Sequence, residues 1–282
     1  MTTNKKNVLI TGSSTGIGLA TAEALTKNNY TVYACARKPE DLARLENEVG
    51  AHPVKLDVTV REDIDALENF LSKEASDGLF ALINNAGIVR HGPVECVPMS
   101  ELREQFEVNL FGQVAVTQKA LPYIRKTKGR IVNISSISGR SAAPFLGPYA
   151  ASKFALEAIN DSLRREMIVH GVHVSSINPG FIKTPILTKQ RDKKELEELF
   201  FTRPGQKEAY LPGLEQVGKY FQSSIPNADP VEWVVEAVLH ALESPRPKTR
   251  YYVGKGISFA ALMYRLLPDR WMDRILWKHL RK

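Results

Sequence analysis

The stretch Asn7-Val8-Leu9-Ile10-Thr11-Gly12-Ser13-Ser14-Thr15-Gly16-Ile17-Gly18 decides how this chain folds. Residues 7–11 read as a short buried strand, and the pattern turns helical over 17–27. Between them lie glycines spaced GxxxGxG. Glycine lets a backbone turn sharply and approach a bulky anion with no Cβ in the way. The helix behind then points unpaired N–H groups at that anion. Strand, glycine turn and helix together form a cradle for a pyrophosphate. The spacing differs from GxGxxG, and no GK[ST] follows, so the turn is not a P-loop.

Further along, short apolar runs alternate with longer amphipathic ones. Strands are expected at 31–36, 54–56, 81–83, 130–135, 172–177 and 250–253. Helices are expected at 39–48, 100–125, 148–169 and 230–242. Apolar strands between helices imply an α/β fold, a Rossmann-type doubly wound parallel sheet covered on both faces, with right-handed crossovers. With 282 residues, one domain with extensions is expected. Its core would span 1–255. After Pro179 the texture changes: 189–198 is densely charged and 202–213 is rich in Pro and Gly. This reads as an inserted, partly helical flap over 185–228, not a second domain. A C-terminal extension follows over 256–282.

Hydrophobic residues at 43% and charged residues at 24% are ordinary for a globular chain. The net charge of +7 is too diffuse to signal nucleic acid, and no recognition module is present. Cys35 and Cys96 lie in no CxxC pair and near no His cluster, so neither a disulfide framework nor a metal site is expected. Two reduced thiols, and a first segment without an apolar leader, suit a cytoplasmic protein. No run reaches the ~18 apolar residues of a transmembrane helix.

The end of the second strand discriminates cofactors. An acid there would hold the ribose 2′-hydroxyl of NAD(H). This chain has Ala36-Arg37-Lys38 instead. A guanidinium suits a 2′-phosphate, so NADP(H) is expected over NAD(H).

Three motifs in order, the TGxxxGxG turn, Asn84-Asn85-Ala86-Gly87 and Tyr149-x-x-x-Lys153, resemble the short-chain dehydrogenase/reductases over about residues 7–185. The resemblance implies an oxidoreductase acting on CH–OH groups, with Tyr149 as general acid/base. Tyrosine titrates near pH 10, so it needs help at neutral pH. Lys153 lies one helical turn away on the same face, and its ammonium is expected to lower the Tyr149 pKa. In the family this lysine also holds the nicotinamide ribose. Family spacing selects Ser136 to orient the substrate oxygen, with Ser135 and Ser138 structural. Asn109 matches the family's helix asparagine, which helps hold a water for proton relay. The implied cofactor-binding set is Gly12, Ser14, Thr15, Gly16, Ile17, Gly18, Arg37, Asp57, Val58, Asn85, Ala86, Gly87, Tyr149, Lys153, Pro179, Gly180, Ile182 and Thr184. Asp57 and Val58 would meet the adenine, and the Pro179–Thr184 segment the carboxamide.

In this family the segment after the Pro-Gly turn sets substrate choice. Here it carries Leu196, Leu199, Phe200, Phe201, Leu211, Leu214 and Phe221, which suits a bulky hydrophobic alcohol or ketone or equally a flap packed on itself. The pattern is similar to the hydroxysteroid and retinol dehydrogenase branch. A 3-hydroxy acid dehydrogenase using NAD, or a nucleotide-binding scaffold without turnover, are the alternatives. The family forms homodimers or homotetramers through its two long helices. The extension interleaves Phe259, Leu262, Leu266, Trp271, Ile275 and Trp277 with six basic and two acidic residues, and Pro268 should split it in two. Such helices lie on a membrane surface, or pack on the protein or a partner subunit.

Overall fold

The computed structural model describes residues 6–188 and 192–280. The first five residues, residues 189–191 of the charged run, and Arg281 and Lys282 lie outside the described residues.

Seven strands form one sheet. They are β1 (Asn7–Ile10), β2 (Thr31–Ala36), β3 (His52–Lys55), β4 (Ala81–Asn84), β5 (Arg130–Ile134), β6 (His173–Pro179) and β7 (Arg250–Val253). Their order is β3-β2-β1-β4-β5-β6-β7, and every pairing is parallel. Successive residues of β1 face opposite layers: Val8 and Ile10 join one buried cluster with Ala22 and Leu25, and Leu9 joins another with Leu82, Val116 and Ile131. A strand covered on both faces is largely apolar, which is why the β1 run does not alternate with polar residues. The strand order reverses at β1/β4. Crossovers diverge there and leave a crevice beyond the carboxyl ends of the strands, where ligands of open α/β sheets bind.

The helices are α1 (Gly16–Lys27), α2 (Pro39–Arg44), α3 (Arg61–Glu74), α4 (Met99–Phe106), α5 (Gly112–Thr127), α6 (Gly147–Met167), α7 (Pro185–Thr188), α8 (Lys193–Phe200), α9 (Gln206–Ser224), α10 (Glu232–Glu243), α11 (Ile257–Leu266) and α12 (Asp269–Leu280). Several elements differ from the expectation, among them the helix expected over 39–48, which passes into a π turn at Leu45–Val49. Helix α3 is additional, and its Ile64, Leu67 and Leu71 are buried at helical spacing in the second cluster. The helix expected over 100–125 is interrupted by a π turn at Glu107–Phe111. The third strand sits slightly earlier than 54–56, because its pairing with β2 starts at His52.

The flap is helical across α7, α8 and α9. Phe200 ends α8 fully buried, against Gly92 of the loop after β4; a Cβ on Gly92 would stand 2.7 Å from its ring. Tyr210 of α9 donates a 2.6 Å hydrogen bond to Glu95 of the same loop. At the C-terminus, Pro268 separates α11 from α12 as expected. Helix α11 is docked where Ile257 meets Gly180. Among the described residues no helix is long and apolar enough to cross a membrane.

Candidate active site

The glycine turn is built for close approach. Gly12 has φ +65° and Gly16 φ +58°, conformations that side-chain-bearing residues rarely adopt. Gly18 is needed for space: a Cβ there would lie 2.3 Å from the Gly12 carbonyl oxygen and 2.5 Å from Asn85 Nδ2. The Asn85 carboxamide donates to the carbonyls of Thr11 (3.0 Å) and Gly12 (2.9 Å), while Thr11 Oγ1 accepts from the N–H groups of Asn85 and Ala86. The β1 and β4 loops are thereby stitched together across the switch point. Thr15 precedes α1 with no side-chain capping bond, so the first-turn N–H groups are left for a ligand. A cradle of bare backbone at a helix N-terminus fits a pyrophosphate.

At the rim of this cradle, Arg37 is exposed and reaches to 3.6 Å from Asp57. Burial pushes the Asp57 carboxyl up, but its bonds from Thr59 and the nearby Arg37 outweigh this and hold it below the usual range. Val58 packs against Gly112, where a Cβ would stand 2.5 Å from the Val58 carbonyl. Arg44, absent from the sequence-derived set, donates from Nη2 to the carbonyl of Ser14 and pairs with Asp41 at 3.1 Å. It places a second guanidinium against the turn. Its position on α2, just after Arg37 and Lys38, was the available signal.

Beyond β5 and on α6 the catalytic candidates converge. Ser136 is buried, and its Oγ accepts from the Ser138 N–H at 3.1 Å. Its hydroxyl also bears on the Tyr149 phenol across the site, favouring the ionised form. Lys153 is buried, its Nζ donates to the Ile134 carbonyl at 2.8 Å, and Nζ lies 5.9 Å from the centre of the Tyr149 ring. Burial pushes the Tyr149 phenol above its ordinary value, and the nearby Ser136 hydroxyl only partly offsets this. The expected lowering by Lys153 is therefore not present in the protein alone. Burial has weakened Lys153 itself, down to about 8, against an opposing pull from Glu157. A lysine at that value is still mostly cationic at neutral pH.

Asn109 sits fully buried inside the π turn. Its Oδ1 accepts from the Ile88 N–H at 2.9 Å, and its Nδ2 donates to the Ile88 carbonyl (3.0 Å) and to Ser152 Oγ (3.2 Å). The carboxamide thus pins the Gly87 loop to α6 and the π turn. An asparagine that makes these bonds explains the break in the helix. After β6, the Gly180 N–H is bonded to the Val253 carbonyl, Ile182 bridges to Asp229, and Thr184 Oγ1 donates to the Ile182 carbonyl at 3.2 Å. Thr184 also lies beside Gly16, so the Pro179–Thr184 segment and the glycine turn border one crevice.

The wall before Tyr149 holds a backbone outlier. Phe145 has φ +65°, a left-handed conformation that costs of order 1–3 kcal/mol for a bulky residue. The Gly92 N–H donates to its carbonyl at 2.7 Å, and its ring lies against Gly213 of α9. The strain turns the ring towards the flap.

Fold and site together define a dinucleotide-binding oxidoreductase. A profile described as short chain dehydrogenase matches residues 6–195. The chain belongs to the short-chain dehydrogenase/reductase family, in the branch that resembles hydroxysteroid and retinol dehydrogenases, and acts on CH–OH groups. It is 37% identical to the NADPH-dependent 3-dehydrocapnine reductase of Ornithobacterium rhinotracheale, covering 97% of each chain. It is 35% identical to 17-beta-hydroxysteroid dehydrogenase type 6 of Bos taurus, over 96% of this chain and 87% of the relative. A short chain dehydrogenase from Burkholderia cenocepacia J2315, solved in complex with NADP, superposes with a TM-score of 0.72 at 26% identity, covering 98% of each chain.

Proposed function

We propose that the chain is an NADP(H)-dependent oxidoreductase that interconverts a secondary alcohol and a ketone, or an alcohol and an aldehyde, on a bulky hydrophobic substrate. The observation that carries this is the convergence of Ser136, Tyr149 and Lys153 at the ends of β5 and α6, beside the glycine cradle. When bound, the nicotinamide supplies or takes the hydride. Tyr149, protonated at neutral pH, gives its proton to the substrate oxygen during reduction. Ser136 donates to the same oxygen and fixes its position. The ammonium of Lys153 stabilises the phenolate that remains, an electrostatic gain largest in a buried site. Asn109 holds the Gly87 loop that borders the nucleotide. Gly12, Ser14, Thr15, Gly16, Ile17 and Gly18 hold the pyrophosphate. Asp57, Val58, Asn85 and Ala86 lie along the adenosine side, and Pro179, Gly180, Ile182 and Thr184 hold the carboxamide.

Arg37 and Arg44 support NADP(H), as does the relative named for NADPH. Arg37→Ala should raise the dissociation constant for NADPH about tenfold, equivalent to ~1.4 kcal/mol, and leave that for NADH nearly unchanged. Equal losses for both nucleotides in a fluorescence titration would refute the 2′-phosphate role. A screen of steroids, retinals, long-chain ketones and small ketones, following NADPH oxidation, tests the substrate class. Turnover confined to small ketones would overturn it. The half-buried Leu196, Leu199, Leu211, Leu214 and Phe221 of the flap favour large apolar substrates.

Two contacts accompany this reading. Phe111, Phe154 and Ile159 stand exposed on the outer side of the π turn and α6, a face suited to a homodimer or homotetramer. On the tail, Phe259, Leu262, Leu266 and Trp271 are exposed beside Arg265, Arg270, Arg274 and Lys278, which suits the surface of an anionic membrane. The full chain should sediment with phosphatidylglycerol vesicles and not with phosphatidylcholine ones. A Leu266→Ser, Trp271→Ser variant should stay in the supernatant. Identical sedimentation of both proteins would exclude this use of the tail.

A further inference from the structure

Glu157 is a buried carboxylate that the reaction scheme above does not use. It lies one turn beyond Lys153 on α6, and burial of an ionised group is costly unless it is paired. Its partners come from three other parts of the fold. Oε2 accepts from Arg250 Nε of β7 at 2.7 Å and from Arg140 of the loop after β5 at 3.5 Å. Oε1 accepts from Asn178 Nδ2 of β6 at 2.8 Å. The same Asn178 amide donates at 3.2 Å to the carbonyl of Ser136, which also accepts from the Gly139 N–H at 2.9 Å. Gly139 allows this closeness, since a Cβ there would be 2.9 Å from Glu157 Cγ and 3.1 Å from the Lys153 carbonyl.

We infer that Glu157 is a positioning residue of the active site: it sets a buried negative charge one helical turn from Lys153 and, through Asn178, fixes the backbone of Ser136. The inference rests on the assignment of Tyr149, Ser136 and Lys153 proposed above.

The electrostatics have a definite sign. Lys153 has Tyr149 and Glu157 beside it on α6, and Glu157 in turn is paired with Arg140 after β5 and Arg250 on β7. Arg250 is itself paired with Asp161 of α6 at 2.7 Å. From the π turn the neutral Asn109 bonds Ser152 of α6, and from β6 the neutral Asn178 bonds Glu157. Burial drives Lys153 towards the neutral form, and Glu157 opposes it. Removing the negative charge also leaves Arg250 and Arg140 less compensated, which disfavours the ammonium further. Removing the Arg250 cation acts the other way.

Glu157→Gln keeps size and hydrogen-bonding capacity. It should move the alkaline limb of the kcat/KM profile for ketone reduction to lower pH by about one pH unit. Arg250→Gln should move the same limb to higher pH, and Glu157→Asp should restore a profile near that of the unaltered enzyme. A purely structural role would lower activity at every pH without opposite displacements. Limbs that stay in place in Glu157→Gln, or move the same way in both charge variants, would overturn the inference. If Glu157→Gln does not fold, the direction of the Arg250→Gln displacement alone decides. Tyr149→Phe measured alongside separates the two levels. If that variant stays active, the catalytic assignment itself is wrong. If it is inactive while the limbs do not move, only the role of Glu157 fails.

Discussion

Tyr149→Phe should lower kcat on the order of a thousandfold while leaving the dissociation constant for NADPH within about twofold. The phenol lies beside Lys153 and within the influence of Ser136, where a proton can be handed to the substrate oxygen. The substitution removes only the hydroxyl, so the half-buried ring still fills its place. The loss therefore belongs to the chemical step and not to binding. NADPH oxidation on a ketone substrate, with a parallel fluorescence titration of the nucleotide, measures both. Retention of more than about a tenth of the turnover would remove Tyr149 from the role of general acid/base, since such a donor contributes roughly 10²–10⁴-fold.

Gly18→Ala should have the second largest effect, and it acts first on binding. The added Cβ would lie 2.3 Å from the Gly12 carbonyl and 2.5 Å from Asn85 Nδ2. Both are on rigid backbone or on a side chain held by two bonds, so neither moves aside cheaply. Overpacking of this kind costs about 1–3 kcal/mol. The turn must open, and the two bonds from Asn85 to Thr11 and Gly12 loosen. NADPH affinity should fall at least about a hundredfold, with a lower Tm. Unchanged affinity in a direct titration would show that the turn does not hold the pyrophosphate.

Much of this was readable from the sequence, for identifiable reasons. Strands buried on both faces give largely apolar runs, interrupted in β5 and β6 by buried Asn133, Ser175, Ser176 and Asn178, and the glycines of the turn answer to local sterics, so β1, β2, β4, β5 and β6 lie close to where the pattern puts them. Motif spacing places Ser136, Tyr149 and Lys153 on two elements whose pairing the parallel sheet dictates, and they meet in the structure. What escaped depends on contacts between distant segments. The π turn arises because Asn109 bonds the backbone of Ile88, a preference no helical periodicity carries. Arg44 and Glu157 look like ordinary charged helix residues until tertiary packing buries them or turns them inward. The pKa directions escaped for a similar reason: a motif shows which groups are neighbours but not how much water they have lost. Helix α3 is a different matter, since Ile64, Leu67 and Leu71 carried a legible period.

The hydrogen bonds between Thr11 and Asn85 join residues 74 apart in the chain. The nucleotide cradle is therefore complete only when β1 and β4 are paired at the centre of the sheet. A ligand that binds the native state alone stabilises it by about 2.7 kcal/mol at a hundred times its dissociation constant. A dinucleotide held in that cradle would add its binding energy to the seam that β1 and β4 already form, so the Tm of the protein should rise with NADPH concentration.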